Sequence, residues 1–336
     1  MGIVEVIFAS LFIIYYIYYI YGNRLLQKSH ILNIFVKFKI CVNVTYRLHF
    51  LIMDTSPMAL KKMSNAEYHS LDYVSKSHLD EINRSPFHYW DKYINPNRVI
   101  QEPTKQMIFG SAFHTLVLEP ELFEKEYIVE SANAPKRPTD AQRNAKKPSN
   151  QTLSAIAFWD SFDDKAKGKT FISLDDLERL TIMKQRVAAH PAANTILNMS
   201  GVCEQSYQWK DDQTGEICKS RPDFHTDDGS LIVDLKTTND ASELGFQKSV
   251  HNFRYHVQAG FYLRSIKEAQ QFVFIAVESK PPYLVAVYNA SPEMIAAGNR
   301  VADKNLATLS KCRKLGKWIG YSEEITNLDL PRYNND

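Results

Sequence analysis

The sequence predicts an α/β fold: a mixed central β-sheet flanked by helices, with additional helices ahead of it. Three observations predict it. Apolar residues recur at helical spacing around residues 75–93, 105–118 and 174–189. From Val202 onward the texture changes to short alternating runs separated by turns rich in Asp and Gly. After these come a long helical stretch, two further strands and a closing helix, the mixture that a helix-covered sheet requires.

Each element has a local reason. In Ser75 to Tyr93, Leu79, Ile82 and Tyr89–Trp90 form an apolar stripe, Ser77 and Asp80 are placed as a capping pair, and Pro86 interrupts or bends the helix. Lys105 to Leu118 carries Ile108, Phe113, Leu116 and Val117, with His114 on the same element and Pro120 just beyond. Residues 131–150 read as a basic loop with Lys136, Arg137, Arg143, Lys146 and Lys147 against the acid Asp140. Leu174 to Ala189 is amphipathic and stops at His190–Pro191. Val202 to Lys210 and Glu216 to Phe224 flank an Asp211–Gly215 turn as hairpin partners. Leu231 to Leu235 is a compact apolar strand after Asp227-Asp228-Gly229. A helix over Ser242 to Lys267, strands at Phe272–Val277 and Leu284–Tyr288, and a helix from Pro292 to Leu315 complete the order.

The first sixty residues are of another kind. Val4 to Gly22 is apolar apart from Glu5 and close to the ~20 residues that span a bilayer. Five tyrosines crowd one half of it (Tyr15, Tyr16, Tyr18, Tyr19, Tyr21), and tyrosine favours the membrane interface over the hydrocarbon. Before Met53 there is no proline and one alanine, Ala9. The reading is an apolar leader over 1–62, outside the fold and ahead of a start at Met53, Met58 or Met63, with a folded domain over 63–336. A membrane tether is the competing use of Val4 to Gly22.

Charge narrows the function. The chain carries 40 basic and 38 acidic residues; residues 1–62 hold seven basic and two acidic, leaving 33 against 36 and a net of −3 in the rest. Binding to nucleic acid must therefore come from local patches and a metal site. Cys41, Cys203, Cys218 and Cys312 have no metal-site spacing and read as free thiols of a reducing, cytoplasmic compartment.

The chemistry concentrates in Arg221-Pro222-Asp223, ten residues, then Asp234-Leu235-Lys236. Alternation along a strand sends Asp234 and Lys236 to one face and Leu235 into the core. A hairpin-like order brings Asp223 beside Asp234. Two carboxylates held so close need a proton or a cation, and Mg²⁺ takes oxygen ligands while keeping waters for chemistry. Asp223 and Asp234 would hold the ion, with the Leu235 carbonyl as a further donor and His114 as another ligand. Lys236 would orient or deprotonate the attacking water, or neutralise the transition state. Gln258 and Tyr262, four apart on one helix face, could position a DNA phosphate or base. Singly, each has a plain use: a strand-end ion pair, a core histidine, a turn aspartate. It is the combination that points to metal-assisted hydrolysis.

The ordered set resembles the RecE (exonuclease VIII) nuclease family in the RecB-type branch of the PD-(D/E)XK superfamily. Its carriers are Ser75-Lys76-Ser77 with Ser85-Pro86, Gly110-Ser111-Ala112-Phe113-His114, and Thr214-Gly215 leading to Arg221-Pro222-Asp223. Asp234-Leu235-Lys236-Thr237-Thr238, Tyr255-His256-Val257-Gln258 with Tyr262, and Leu330-Pro331-Arg332 complete them. The resemblance implies a PD-(D/E)XK core, metal ligation by His114, Asp223 and Asp234, catalysis by Lys236, and a Gln-xxx-Tyr motif at Gln258 and Tyr262. It further implies Mg²⁺ (with Mn²⁺ substituting) and 5′-to-3′ degradation of linear duplex DNA from its ends. The 3′ single strand would pass to a RecT-like annealing protein, as part of recombination in a phage or prophage setting. A ring-shaped homo-oligomer is implied too, its channel lined by Arg221 and the 136–147 loop. The alternatives are a Cas4-like end-processing nuclease, which the scattered cysteines weaken, and a non-catalytic DNA-binding module on the same fold.

Overall fold

The computed structural model describes residues 56–130 and 133–329. Val4 to Gly22, the proposed start at Met53 and the Leu330-Pro331-Arg332 motif lie outside the described residues. The chain runs β1 (Met58–Ala59), α1 (Asn65–Ser70), α2 (Lys76–Arg84), α3 (Pro86–Tyr93), α4 (Lys105–Leu118), α5 (Pro120–Glu126) and β2 (Tyr127–Val129). Next come α6 (Asp140–Arg143), α7 (Asn150–Ala166), β3 (Thr170–Ile172), α8 (Leu174–Ala189), α9 (Pro191–Leu197), β4 (Gly201–Cys203), β5 (Tyr207–Lys210) and β6 (Ile217–Ser220). The chain closes with β7 (Phe224–Thr226), β8 (Leu231–Thr238), α10 (Glu243–Asn252), α11 (Tyr255–Leu263), β9 (Gln271–Glu278), β10 (Val285–Asn289) and α12 (Pro292–Leu315).

The central sheet has the order β10-β9-β8-β7-β4. β8 and β9 are parallel and the other neighbours antiparallel, so the sheet is mixed. Side chains alternate along β8 into two cores. Val233 and Leu235 pack with Phe109, Phe113, Leu180 and Met183 of α4 and α8. Ile232 packs on the other face with Phe246 and Ala259 of α10 and α11. A strand covered on both faces reads as an apolar run, as Leu231-Ile232-Val233 does.

The hairpin around the Asp211–Gly215 turn is longer than one sheet. β5 and β6 pair with Tyr207 opposite Ser220 and join β1 in a separate three-stranded sheet. β4 and β7 pair in the same register, Cys203 opposite Phe224, inside the central sheet. The sequence reading ran Val202–Lys210 and Glu216–Phe224 as two unbroken strands. Both arms instead cross between sheets at one level, through residues 204–206 and 221–223, where Glu204 has a φ of 53° and Pro222 lacks an N–H to pair.

Other boundaries shift for local reasons. The helix expected over Ser242–Lys267 breaks at Arg254, whose φ of 58° is left-handed. Pro86 separates α2 from α3 as expected, but α2 is capped by Ser75, whose backbone N–H donates to His78 Nδ1 at 3.1 Å. The 131–150 stretch holds the short α6, and α7 after it was not read from sequence. α7 supplies Asp163 and Asp160 to Arg137 and Arg143 at 2.8 and 2.7 Å. The fold also reaches back past Met63: Leu60 N–H donates to the Ser206 carbonyl and Lys62 pairs with Glu119, both within 2.8 Å. No helix among the described residues is long and apolar enough to cross a membrane.

α11 is held from outside by α12 through two glycines. A Cβ on Gly298 would lie 1.8 Å from the His256 carbonyl oxygen, and one on Gly260 would lie 2.9 Å from the Asn299 nitrogen. The helices can approach this closely only without those side chains.

Candidate active site

Three carboxylates line up across three neighbouring chain segments. The register of the long hairpin puts Glu204 opposite Asp223, and the Glu204 N–H donates to the Asp223 carbonyl at 3.1 Å. The pairing of Phe224 with Val233 then puts Asp223 opposite Asp234. Like charges directly opposed across a sheet repel. Burial, and then the Asp223 charge, push the Glu204 carboxyl up to about 8. Burial also raises the Asp234 pKa, against the pull of Lys236.

The row sits at a notch in the sheet. β7 begins only at Phe224, so β8 has no strand beside it past Val233 on that edge. The Asp223 carboxylate fills the place of the missing strand and accepts the Leu235 N–H at 2.7 Å. From one face α4 brings His114, whose Nδ1 lies 3.3 Å from Asp223 Oδ2. From the other α11 brings Gln258, whose side-chain amide donates to Asp234 Oδ1. Lys236 Nζ lies 2.5 Å from Asp234 Oδ2 and 4.9 Å from the centre of the Tyr255 ring. Burial opposes its charge, but Asp234, Asp223 and Tyr255 outweigh burial and raise its pKa. Lys236 is therefore an ammonium at neutral pH in this arrangement.

His114, Glu204 and Asp223 each offer a ligand atom, all within 4.8 Å of one another. Among the described residues no other group of three or more His, Cys, Asp or Glu comes together in this way. One imidazole nitrogen beside carboxylate oxygens is a donor set that a divalent cation fits, and it would relieve the repulsion along the row. A cleft of about 600 Å³ opens on these three, bordered by Lys62, Ser111, Glu119 and Arg221.

Of the residues singled out from sequence, the structure brings His114, Asp223, Asp234, Lys236 and Gln258 together. Gln258 is buried, and its amide holds a carboxylate instead of facing outward to a nucleic acid. Tyr262, one turn on, packs against Phe272, and burial raises its pKa well above the usual range. Arg221 is committed elsewhere. It donates to Ser206 Oγ at 2.8 Å, Asn65 Oδ1 at 2.6 Å and the Met63 carbonyl at 3.2 Å, and stacks on Tyr68. These contacts tie the start of the fold to the sheet crossing. Arg137 and Arg143, from the basic loop, are likewise neutralised by α7. The residue missed from sequence is Glu204. Its signal was present in the hairpin: counting outward from the Asp211–Gly215 turn sets it opposite Asp223.

A family profile described as "PDDEXK-like domain of unknown function (DUF3799)" matches residues 75–331. No curated protein matches the sequence. Among solved structures, one from Eubacterium rectale described as a "Putative exonuclease" aligns with a TM-score of 0.47 and 12% identity, covering 81% of this chain and 97% of its own. Another, of SSO0001, aligns with a TM-score of 0.26 and 17% identity over 39% of this chain and 67% of its own.

Proposed function

The chain belongs to the PDDEXK-like family DUF3799, and from that premise we propose that it is a Mg²⁺-dependent exodeoxyribonuclease acting on the ends of linear duplex DNA. Its helix-flanked mixed sheet is a PD-(D/E)XK core. The observation that carries the proposal is the row Glu204, Asp223 and Asp234, with His114 and Lys236 at its flanks. Asp223, Asp234, His114 and Glu204 would hold the ion, with the Leu235 carbonyl as a further oxygen donor. A bound Mg²⁺ would polarise the scissile phosphate and acidify an attacking water. Lys236, charged and fixed between Asp234 and Tyr255, faces the negative charge that builds on the phosphate in the transition state. Gln258 keeps the Asp234 carboxylate oriented. Resection 5′-to-3′, delivery of the 3′ strand to a RecT-like annealing protein and closure of several copies into a ring are the finer parts of the same proposal. A channel would let a chain whose folded part is slightly acidic concentrate its basic groups where DNA runs.

The test is the full-length protein on linear and closed circular duplex DNA with Mg²⁺, beside Lys236→Ala. Metal-dependent loss of the linear duplex that the substitution abolishes, with circles intact, is the expected result. Equal cleavage by Lys236→Ala overturns the mechanism, and rapid cutting of circles replaces the exonuclease with an endonuclease.

A further inference from the structure

Around the Tyr255 ring that Lys236 faces, a second group of cations gathers that the metal site does not use. Lys76 is the first residue of α2, in the Ser75-Lys76-Ser77 motif. Its Nζ contacts Asp80 Oδ2 and the Phe253 carbonyl, each at 2.7 Å. That ammonium lies 5.9 Å from the centre of the Tyr255 ring and Lys236 Nζ lies 4.9 Å from it, so the two are at most 10.8 Å apart. Arg254 closes the group, with Nε 3.3 Å from Asp80 Oδ1. Three cations thus share Asp80 and the already engaged Asp234.

Arg254 is held at a cost on two counts. Its backbone is left-handed, with a φ of 58°, a conformation that a long side chain rarely adopts. Its Nε and Nη2 are shut off from solvent and make no hydrogen bond, although Asp80 stands beside them. Under-bonded buried donors of this kind ask for an explanation in function. Burial lowers the Lys76 pKa and, beyond the pull of Asp80, the charges of Lys236 and Arg254 lower it further. An arriving anion would relieve that repulsion and accept from the part of the Arg254 side chain, 17% exposed, that solvent still reaches. Around the group stand the exposed Phe253 and the Tyr255 ring, apolar surface beside which a nucleotide can lie.

We propose that Lys76 and Arg254 form a phosphate-binding subsite that holds a phosphodiester of the DNA strand next to the one being cut, and so sets how the strand passes Lys236. The proposal rests on the nuclease reading above. It also accounts for the break between α10 and α11, since the break is what aims Arg254 at Asp80 and Lys76.

The test uses Arg254→Gly in the full-length protein, because glycine takes the left-handed conformation without strain. Binding of a short fluorescein-labelled DNA duplex is followed by anisotropy over a salt series, with Ca²⁺ in place of Mg²⁺, beside thermal melts. Arg254→Gly is expected to melt at or above the wild-type temperature. It should bind the duplex about tenfold more weakly, and its slope of log affinity against log salt should be shallower by about 0.9. Lys76→Gln should move the slope in the same direction. Wild-type affinity and slope in Arg254→Gly overturn the subsite and leave the nuclease reading standing, and a lowered melting temperature with an unchanged slope overturns it equally. Failure of the wild-type protein to bind duplex DNA overturns both readings.

Discussion

Glu204 and Asp223 are cross-strand partners, joined by a backbone hydrogen bond of 3.1 Å at the level where their hairpin changes sheets. Their backbones are therefore held side by side, and burial with the facing Asp223 charge favours a proton or a shared cation on the Glu204 carboxyl. Glu204→Gln removes one charge of the pair. The metal-free variant is expected to melt higher than the wild type, and its Mg²⁺ affinity is expected to fall about tenfold or more. Thermal melts in chelator and a calorimetric Mg²⁺ titration check the two halves.

The same carboxyl couples stability to pH. Its pKa rises from the ordinary 4.5 to about 8 on folding, so between those values the folded chain keeps a proton that the unfolded chain has released. The contribution of this carboxyl to the stability of the metal-free protein should then be fullest below about pH 4.5 and drain as pH climbs to about 8. If the site takes Mg²⁺ as proposed, the ion would displace that proton, and the rise in melting temperature on adding Mg²⁺ should grow across the same window. Melts from about pH 5 to about pH 8.5, with and without Mg²⁺, measure both slopes. A Mg²⁺ effect that shrinks with rising pH would contradict the linkage.

Asp223 has a structural duty beside the ligand duty proposed for it, because it accepts the Leu235 N–H. Asp223→Asn keeps an acceptor and should stay within about 1 kcal/mol of wild-type stability while losing metal affinity. Asp223→Ala leaves that N–H unpaired in the sheet and should lose a further ~1–3 kcal/mol. Urea denaturation of the two variants separates the roles.

Gly298 lies far along the chain from the row, yet a methyl there has no room. Gly298→Ala should push α12 off α11 at a cost of about 1–3 kcal/mol. Since α11 carries Gln258 and Tyr255, cleavage should fall together with stability. Full activity in a destabilised Gly298→Ala would show that α11 need not be seated so closely.

Much of the architecture could be read from local pattern. Lys105–Leu118, Leu174–Ala189 and Pro292–Leu315 have the expected bounds because caps and prolines mark their ends. Asp223, Asp234 and Lys236 converge because strand alternation and hairpin order are themselves local rules. The rest depended on tertiary context. A left-handed residue such as Arg254 leaves no trace in composition, so one expected helix became two. Glu204 looks like any polar residue of an alternating strand until the register is counted across the turn. Arg221, Arg137 and Arg143 looked free for DNA because their partners come from α1 and α7, which carry no signal near them in sequence.

The notch in the sheet has a consequence for when the centre comes into being. His114 comes from one helical layer and Gln258 from the other, and α11 of the second layer is closed from outside by α12, the last helix among the described residues. A growing chain that has emerged as far as Asn289 already contains every candidate ligand, yet it lacks the helix that presses α11 home. A centre built in this order stays unassembled until α12 has been made and packed against α11.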